Sequence, residues 1–215
     1  MTVDSIADIN FYAYQTYFFP LHRYTDRPIY AERTSNFTDE FLQAVRDSLS
    51  SEPTPEEIFY YIYAILYSPT YRKRYEEFLK IDFPRVPLPS SNILFKELSN
   101  LGKELVDLHL LKASALDESE IGFPKSGSYD VVKIYYDEGN QRVFINKEQY
   151  FEGLSKEVWG YQIGAYQVME KYLKDRKKRK LSLDEINHYM KVAKAIRMTI
   201  ELQEKIDDIY RKNEI

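Results

Sequence analysis

Apolar positions recur at helical spacing through the first half of the chain, and start and stop signals divide that pattern into segments. Thr38 can cap a short helix over residues 39–48. In TPEE, Thr54 stands at the N-cap, Pro55 at the first helical position and Glu57 at the third, which is a capping box with the favoured proline. The helix it opens runs through Tyr67. Ser68–Pro69 repeats the start signal and predicts a second helix to about Lys80, with a sharp bend at Ser68. Pro84, Pro87 and Pro89 fix φ and hold their predecessors extended, so residues 81–89 are not helical. Leu94, Leu98, Leu101, Leu105 and Leu108 then mark one face of a long helix over residues 92–111. Ahead of these helices, Phe11–Ala31 is aromatic and broken by Pro20 and Pro28, and reads as short extended segments and turns.

The period changes in the second half. YDVVKIYY (Tyr129–Tyr136) and QRVFIN (Gln141–Asn146) are β-branched and aromatic and flank the turn DEGN, a β-hairpin signal. Glu157–Gln162 reads as a further strand ending near Gly164, and Tyr166 to about Lys178 as a helix. SLDE (Ser182–Glu185) is a second capping box. It opens a helix of about thirty residues with Ile186, Tyr189, Ala193, Ile196 and Ile200 on one side. The predicted class is α+β: a helical first half, a small antiparallel sheet with a β-hairpin, and a long C-terminal helix. The expected parts are residues 1–112, 113–180 and 181–215, integrated into one domain.

Composition fits a globular chain of 215 residues, 44% hydrophobic and 30% charged. The absence of cysteine excludes a disulfide framework and a thiolate metal site, and agrees with a cytoplasmic location. Ile58–Tyr67 is about half the length that crosses a bilayer, and the N-terminus lacks the basic and apolar regions of a signal peptide, so no membrane role is expected. The net charge of −4 is unevenly spread. Lys171–Lys180 holds seven basic residues against one acid, leaving the rest of the chain at −10. Such a chain can present a positive face to nucleic acid. Its 20 Tyr, 12 Phe and one Trp supply large rings with polar handles.

Catalytic signatures are missing. His22, His109 and His188 have no metal-ligand spacing, and none of the seven glycines forms a phosphate-binding loop. The acidic pairs Glu56–Glu57, Glu76–Glu77 and Asp207–Asp208 sit on predicted helices, where a solvated face explains them. Neither a glycine-bearing methyl-donor loop nor an NPPY-type loop for a flipped adenine occurs. Three basic elements remain: YRKRY (Tyr71–Tyr75) on a helix, KDRKKRK (Lys174–Lys180) at a helix end, and Arg142 and Lys147 flanking the second hairpin strand.

Thr54–Pro89, Phe95–Leu111 and Val143–Tyr189 resemble the C-terminal specificity region of type ISP restriction–modification enzymes and related adenine methyltransferases. The resemblance runs from about Phe11 to the final helix. It implies a target-recognition domain that directs methylation or cleavage of double-stranded DNA and has no catalytic centre of its own. The adenine methyltransferase domain and its S-adenosylmethionine would then lie on an upstream part. Charge and location, rather than the resemblance, select the contact residues. Arg72, Arg74, Lys174, Arg176, Lys177 and Arg179 are candidates for phosphates, Arg142 and Lys147 for reading or positioning in the major groove. The alternative is a module that docks on the methyltransferase through the Leu94–Leu108 face or the C-terminal helix, without reading DNA. If about five phosphates are neutralised, log affinity falls against log salt with a slope of about −4.5. Duplex titration at two salt concentrations checks this, and a flat response contradicts it.

Overall fold

The computed structural model describes residues 19–24, 33–118 and 120–213; most of Phe11–Ala31 lies outside them. The chain forms two compact units, Met1–Leu110 with Leu202–Ile215, and Leu111–Glu201.

In the first unit, β1 (His22–Tyr24) pairs antiparallel with β2 (Arg33–Ser35). The Thr38 hydroxyl accepts the Phe41 N–H and starts α1 (Asp39–Leu49). Both halves of the Thr54–Glu57 capping box are present at the head of α2 (Pro55–Tyr67). Ser68 then caps α3 (Pro69–Arg74). The Asp207 carboxylate accepts from the Ser68 hydroxyl (2.7 Å), the Thr70 N–H (2.7 Å) and the Thr70 hydroxyl (2.8 Å), which fixes the bend expected at Ser68. The helix expected to reach Lys80 is split. Tyr75 leaves the helical region (φ −108°, ψ 17°), and a one-turn helix α4 (Glu76–Leu79) follows.

The proline segment after α4 is irregular, as its φ restrictions require. Tyrosine hydroxyls satisfy its carbonyls: Tyr71 donates to Arg85 and Tyr61 to Pro87, each at 3.0 Å. Helix α5 (Asn92–His109) ends two residues before the predicted limit. Leu94, Leu98, Leu105 and Leu108 are buried and Leu101 is half-buried, so this face serves the unit's own core. Burial of each such side chain contributes about 1.5–3 kcal/mol. Gly102 allows α5 to meet α2 backbone to backbone, because a Cβ there would overlap the Tyr60 carbonyl.

In the second unit, β3 (Tyr135–Asp137), β4 (Arg142–Phe144) and β5 (Tyr150–Glu152) form an antiparallel sheet in that order. Tyr135 pairs with Phe144 and Phe144 with Tyr150; Asp137 pairs with Arg142 and Arg142 with Glu152. The hairpin matches its sequence signal, with a shorter first strand. Before it, Val132 and Lys133 still donate to the Ile145 carbonyl, but Val131 donates to Arg179 and Leu181 donates to Tyr129.

The strand expected at Glu157–Gln162 is overturned. Ser155 caps a short helix, α6 (Lys156–Gly160), which turns Val158 into the core. So short an apolar run does not separate strand from helical turn by periodicity. Two-residue strands β6 (Gln162–Ile163) and β7 (Tyr166–Gln167) follow, with Gly164 between them at φ +59°. They shorten the next helix to α7 (Val168–Lys174).

Helix α8 (Leu183–Lys212) has the predicted length and start. The Ser182 hydroxyl accepts the Glu185 N–H, and the Glu185 carboxylate accepts the Ser182 N–H. Ile186, Tyr189, Ala193 and Ile196 are buried with Val143, Phe151 and Leu154 from around the sheet, and Ile200 packs partly against them. Among the described residues, no helix is long and apolar enough to cross a membrane.

Gly102→Ala is expected to destabilise the chain by about 3 kcal/mol, since neither backbone can yield without separating α2 from α5. Denaturant unfolding of the two proteins measures it; an unchanged midpoint contradicts the close approach.

Candidate nucleic-acid interface

Helix α7 ends at Lys174, and Asp175–Lys178 form a turn in which Lys178 takes a left-handed backbone (φ 69°). The turn is bonded to the segment ahead of the hairpin. The Lys178 N–H donates to the Val131 carbonyl (2.8 Å), and the Val131 N–H donates to Arg179 (3.0 Å). Asp130 and Lys180 pair as a β-bridge.

The β4–β5 turn that carries Lys147 joins the same segment. Asn146 Nδ2 donates to the Asp130 carbonyl (3.1 Å), and Asn146 Oδ1 accepts the N–H groups of Glu148 (3.0 Å) and Gln149 (2.8 Å). Buried Gln149 donates to the Lys125 carbonyl (3.0 Å) and accepts from the Tyr129 N–H (2.7 Å) and from Asn146 Nδ2 (3.0 Å). Three chain segments that hold Lys125, Lys147 and Lys177–Lys180 are thereby fixed around Tyr129–Val131. A buried amide that both donates and accepts holds its neighbours in one arrangement.

Not every cation of the basic run is open to a partner. Glu185 on the first turn of α8 binds two of them. Arg176 Nε donates to its Oε1 (3.0 Å), while Arg179 donates to Oε1 (2.6 Å) and Oε2 (3.1 Å). Arg176 also donates to the Tyr172 carbonyl (3.0 Å) and lies 3.5 Å from the Tyr172 ring centroid. The Arg179 hydrogen bond, the Ser182 N–H and Arg176 together overcome desolvation and bring the Glu185 pKa from 4.5 down to about 2. Lys171 pairs with Asp175 and Lys174 with Glu170, one helical turn away. Among the described residues, Lys147, Lys177, Lys178 and Lys180 form no ion pair, and all four are exposed.

Arg142 is half-buried on the outer face of the sheet. Its guanidinium lies 4.4 Å from the Tyr150 ring centroid and 3.7 Å from Glu152. Lys125 approaches the same ring (5.6 Å), and Lys133 approaches Tyr135 (5.7 Å). The rings of Tyr135 and Phe144 stack at 4.4 Å.

In the first unit, Arg72 is exposed beside the Tyr67 ring (5.5 Å), and Arg74 donates to the Tyr210 hydroxyl (3.2 Å). The structure therefore brings Lys147 and Lys177 to one set of segments and gives Lys174, Arg176 and Arg179 intramolecular carboxylate partners. Sequence reading missed Lys125, Lys133, Asn146, Gln149 and Tyr150 here. The NKEQ turn, with a polar residue at each end, was the available signal for two of them.

The histidines do not converge. His22 lies beside Arg33 and Glu56, His109 bonds the Tyr63 hydroxyl, and His188 stacks on Tyr172. Burial lowers the pKa of His109 to about 4. Among the described residues, no cluster of His, Asp or Glu is placed to hold a metal ion.

The family model for the Type ISP C-terminal specificity domain matches residues 1–205. The chain belongs to this family. Three solved structures share the fold at low identity. The ATP-dependent Type ISP restriction–modification enzyme LlaBIII bound to DNA has a TM-score of 0.64 at 20% identity, over 86% of this chain and 13% of that one. The DrdV–DNA complex gives 0.69 at 21%, over 86% and 21%. A nuclease-deletion mutant of the Type ISP enzyme LlaGI in complex with a DNA substrate mimic gives 0.58 at 21%, over 80% and 14%. The specificity domain here thus spans between 13% and 21% of these three chains. No curated protein sequence matches it.

The lowered pKa of Glu185 sets a pH dependence. A carboxylate with a depressed folded-state pKa stabilises the fold fully above its unfolded value, here about 4.5, and loses that contribution as pH falls toward about 2. Glu185→Gln keeps an acceptor at the cap and is expected to remove this part of the acid sensitivity. Unfolding midpoints of both proteins at about pH 5 and about pH 3 check it; parallel losses contradict the clamp.

Proposed function

We propose that this specificity domain chooses the DNA sequence for a Type ISP restriction–modification enzyme whose adenine-N6 methyltransferase and cleavage activities lie on an upstream part. In this reading S-adenosylmethionine belongs to that upstream part, and the domain's partners are double-stranded DNA and the methyltransferase domain. The observation that carries it is the division of cations in the second unit. Lys147, Lys177, Lys178 and Lys180 are exposed without carboxylate partners among the described residues, on segments locked together by Asp130 and Gln149. Cations so placed suit phosphates, which set register along a duplex. Family membership and the DNA-bound state of the named relatives point the same way. Arg72 would add a phosphate contact from the first unit. Lys174, Arg176 and Arg179 would have to keep or exchange their intramolecular partners, so their contribution is secondary.

A docking role would fall to exposed apolar side chains of the first unit other than the leucine face. The Leu94–Leu108 face is buried there, but Phe78, Ile81 and Ile93 are exposed, the last two by more than four-fifths. Exposed apolar side chains mark a contact surface where they are contiguous. They suit the upstream part of the polypeptide, beside rather than instead of DNA reading.

Changing Lys177, Lys178 and Lys180 together to Gln is expected to weaken binding to all duplexes alike. It should also flatten the salt slope by about 0.9 for each phosphate that is no longer neutralised. Titration of the full chain at several salt concentrations measures both. An unaltered slope contradicts phosphate binding by this turn.

A further inference from the structure

Helix ends and loops hold the unpaired lysines, but the outer face of the three-stranded sheet holds a different arrangement. Two cross-strand rows stand side by side on it. One is aromatic, Tyr135–Phe144–Tyr150, and the other is charged, Asp137–Arg142–Glu152. In the aromatic row Tyr135 stacks on Phe144 and Phe144 meets Tyr150 at a tilt, and the row supports the cation, with Arg142 lying over Tyr150. Unlike Arg176 and Arg179, Arg142 makes no hydrogen bond to a protein acceptor among the described residues. Its Nε is buried without a partner, and its approach to Glu152 at 3.7 Å is longer than a hydrogen bond. A buried donor left without an acceptor is costly. Here it accompanies a guanidinium whose direction is set by the ring and the carboxylate while its fork of donors stays uncommitted.

A planar fork of this kind fits two acceptors on one rigid edge, either phosphate oxygens or O6 and N7 of guanine. The neighbours decide between them. Asp137 and Glu152 flank Arg142 in its own row, and carboxylates on both sides repel a phosphate. A G·C pair in the major groove instead shows the two guanine acceptors beside the amino donor of cytosine. That order is complementary to a guanidinium next to a carboxylate. Gly122 leaves room for the carboxylate: a Cβ there would stand 3.3 Å from Glu152 Cγ and 3.4 Å from its Oε1.

We propose that Arg142 reads guanine in the target duplex through O6 and N7, with Glu152 accepting from the paired cytosine. The assignment rests on the duplex-recognition reading above and names a specificity-determining pair within it.

The test is position-by-position base preference, obtained by selecting duplexes from a randomised library with the full chain and with its Arg142→Ala and Arg142→Lys variants. The wild-type chain should select G·C at one position or more. Both variants should lose that preference by about tenfold or more and keep the others, because lysine restores charge but not the fork. Replacing the preferred guanine by 7-deazaguanine, which lacks N7, should weaken the wild type comparably and leave Arg142→Ala unaffected. Arg142→Lys also covers the case in which alanine unfolds the sheet. Unchanged preference at every position in a folded variant overturns the assignment and leaves duplex recognition standing. A loss spread evenly over all sequences, with a flatter salt slope, gives Arg142 to a phosphate and also overturns it. A wild-type chain that binds no duplex overturns both readings.

Discussion

The carboxylate of Glu185 is where the fold and the basic surface meet. It closes the capping box of α8 and simultaneously holds Arg176 and Arg179. Three charge-assisted interactions on one acid are individually stronger than neutral hydrogen bonds. Their geometric effect matters more than their sum. With the two arginines held against α8, the chain between them must pass through a tight turn, and Lys178 adopts its left-handed backbone there. That turn bonds Val131, and the bond aligns the segment that leads into the sheet. The lysines are therefore presented by a scaffold whose rigidity derives from the very arginines that a count of charges would assign to DNA.

This division changes how a mildly acidic chain can approach a polyanion. Lys171–Lys180 holds seven basic residues, but Asp175, Glu170 and Glu185 pair with four of them inside the molecule. What remains is a small number of lysines at fixed positions. On a duplex such a set would give moderate, salt-sensitive affinity and fixed register without holding DNA indiscriminately. Selectivity must then come from groups that gain nothing from phosphate alone, and a cation between two carboxylates is such a group.

Local signals made much of the fold legible. Thr38, Thr54–Glu57, Ser68–Pro69 and Ser182–Glu185 mark helix starts by chemistry that acts within one turn, and each start stands where its signal lies. Leucine spacing marked the buried face of α5 for the same reason. The failures share a different physical origin. Strand pairing depends on partners far along the chain, so Tyr129–Val131 bonds the basic turn rather than extending the hairpin, and β5 has no local mark. Arg176 and Arg179 looked equivalent to Lys177 in the sequence because their acceptor sits six to nine residues away, on another helix. Gln149, a polar residue in a turn, gave no hint that it would be buried and bonded to three other residues.

The two faces of the sheet are coupled through one strand register. Val143 and Phe151 point inward and are fully buried, so the strands cannot slide by one residue without exchanging core and surface. The same register that seats Val143 beside Phe151 therefore places Arg142 between Asp137 and Glu152. A reading group needs its direction fixed before the ligand arrives, because side-chain ordering on binding subtracts from discrimination. Loops that follow the phosphate backbone can tolerate small displacements; a fork aimed at two atoms of one base cannot. Core packing, through strand register, would supply the precision that the exposed lysine turns do not need.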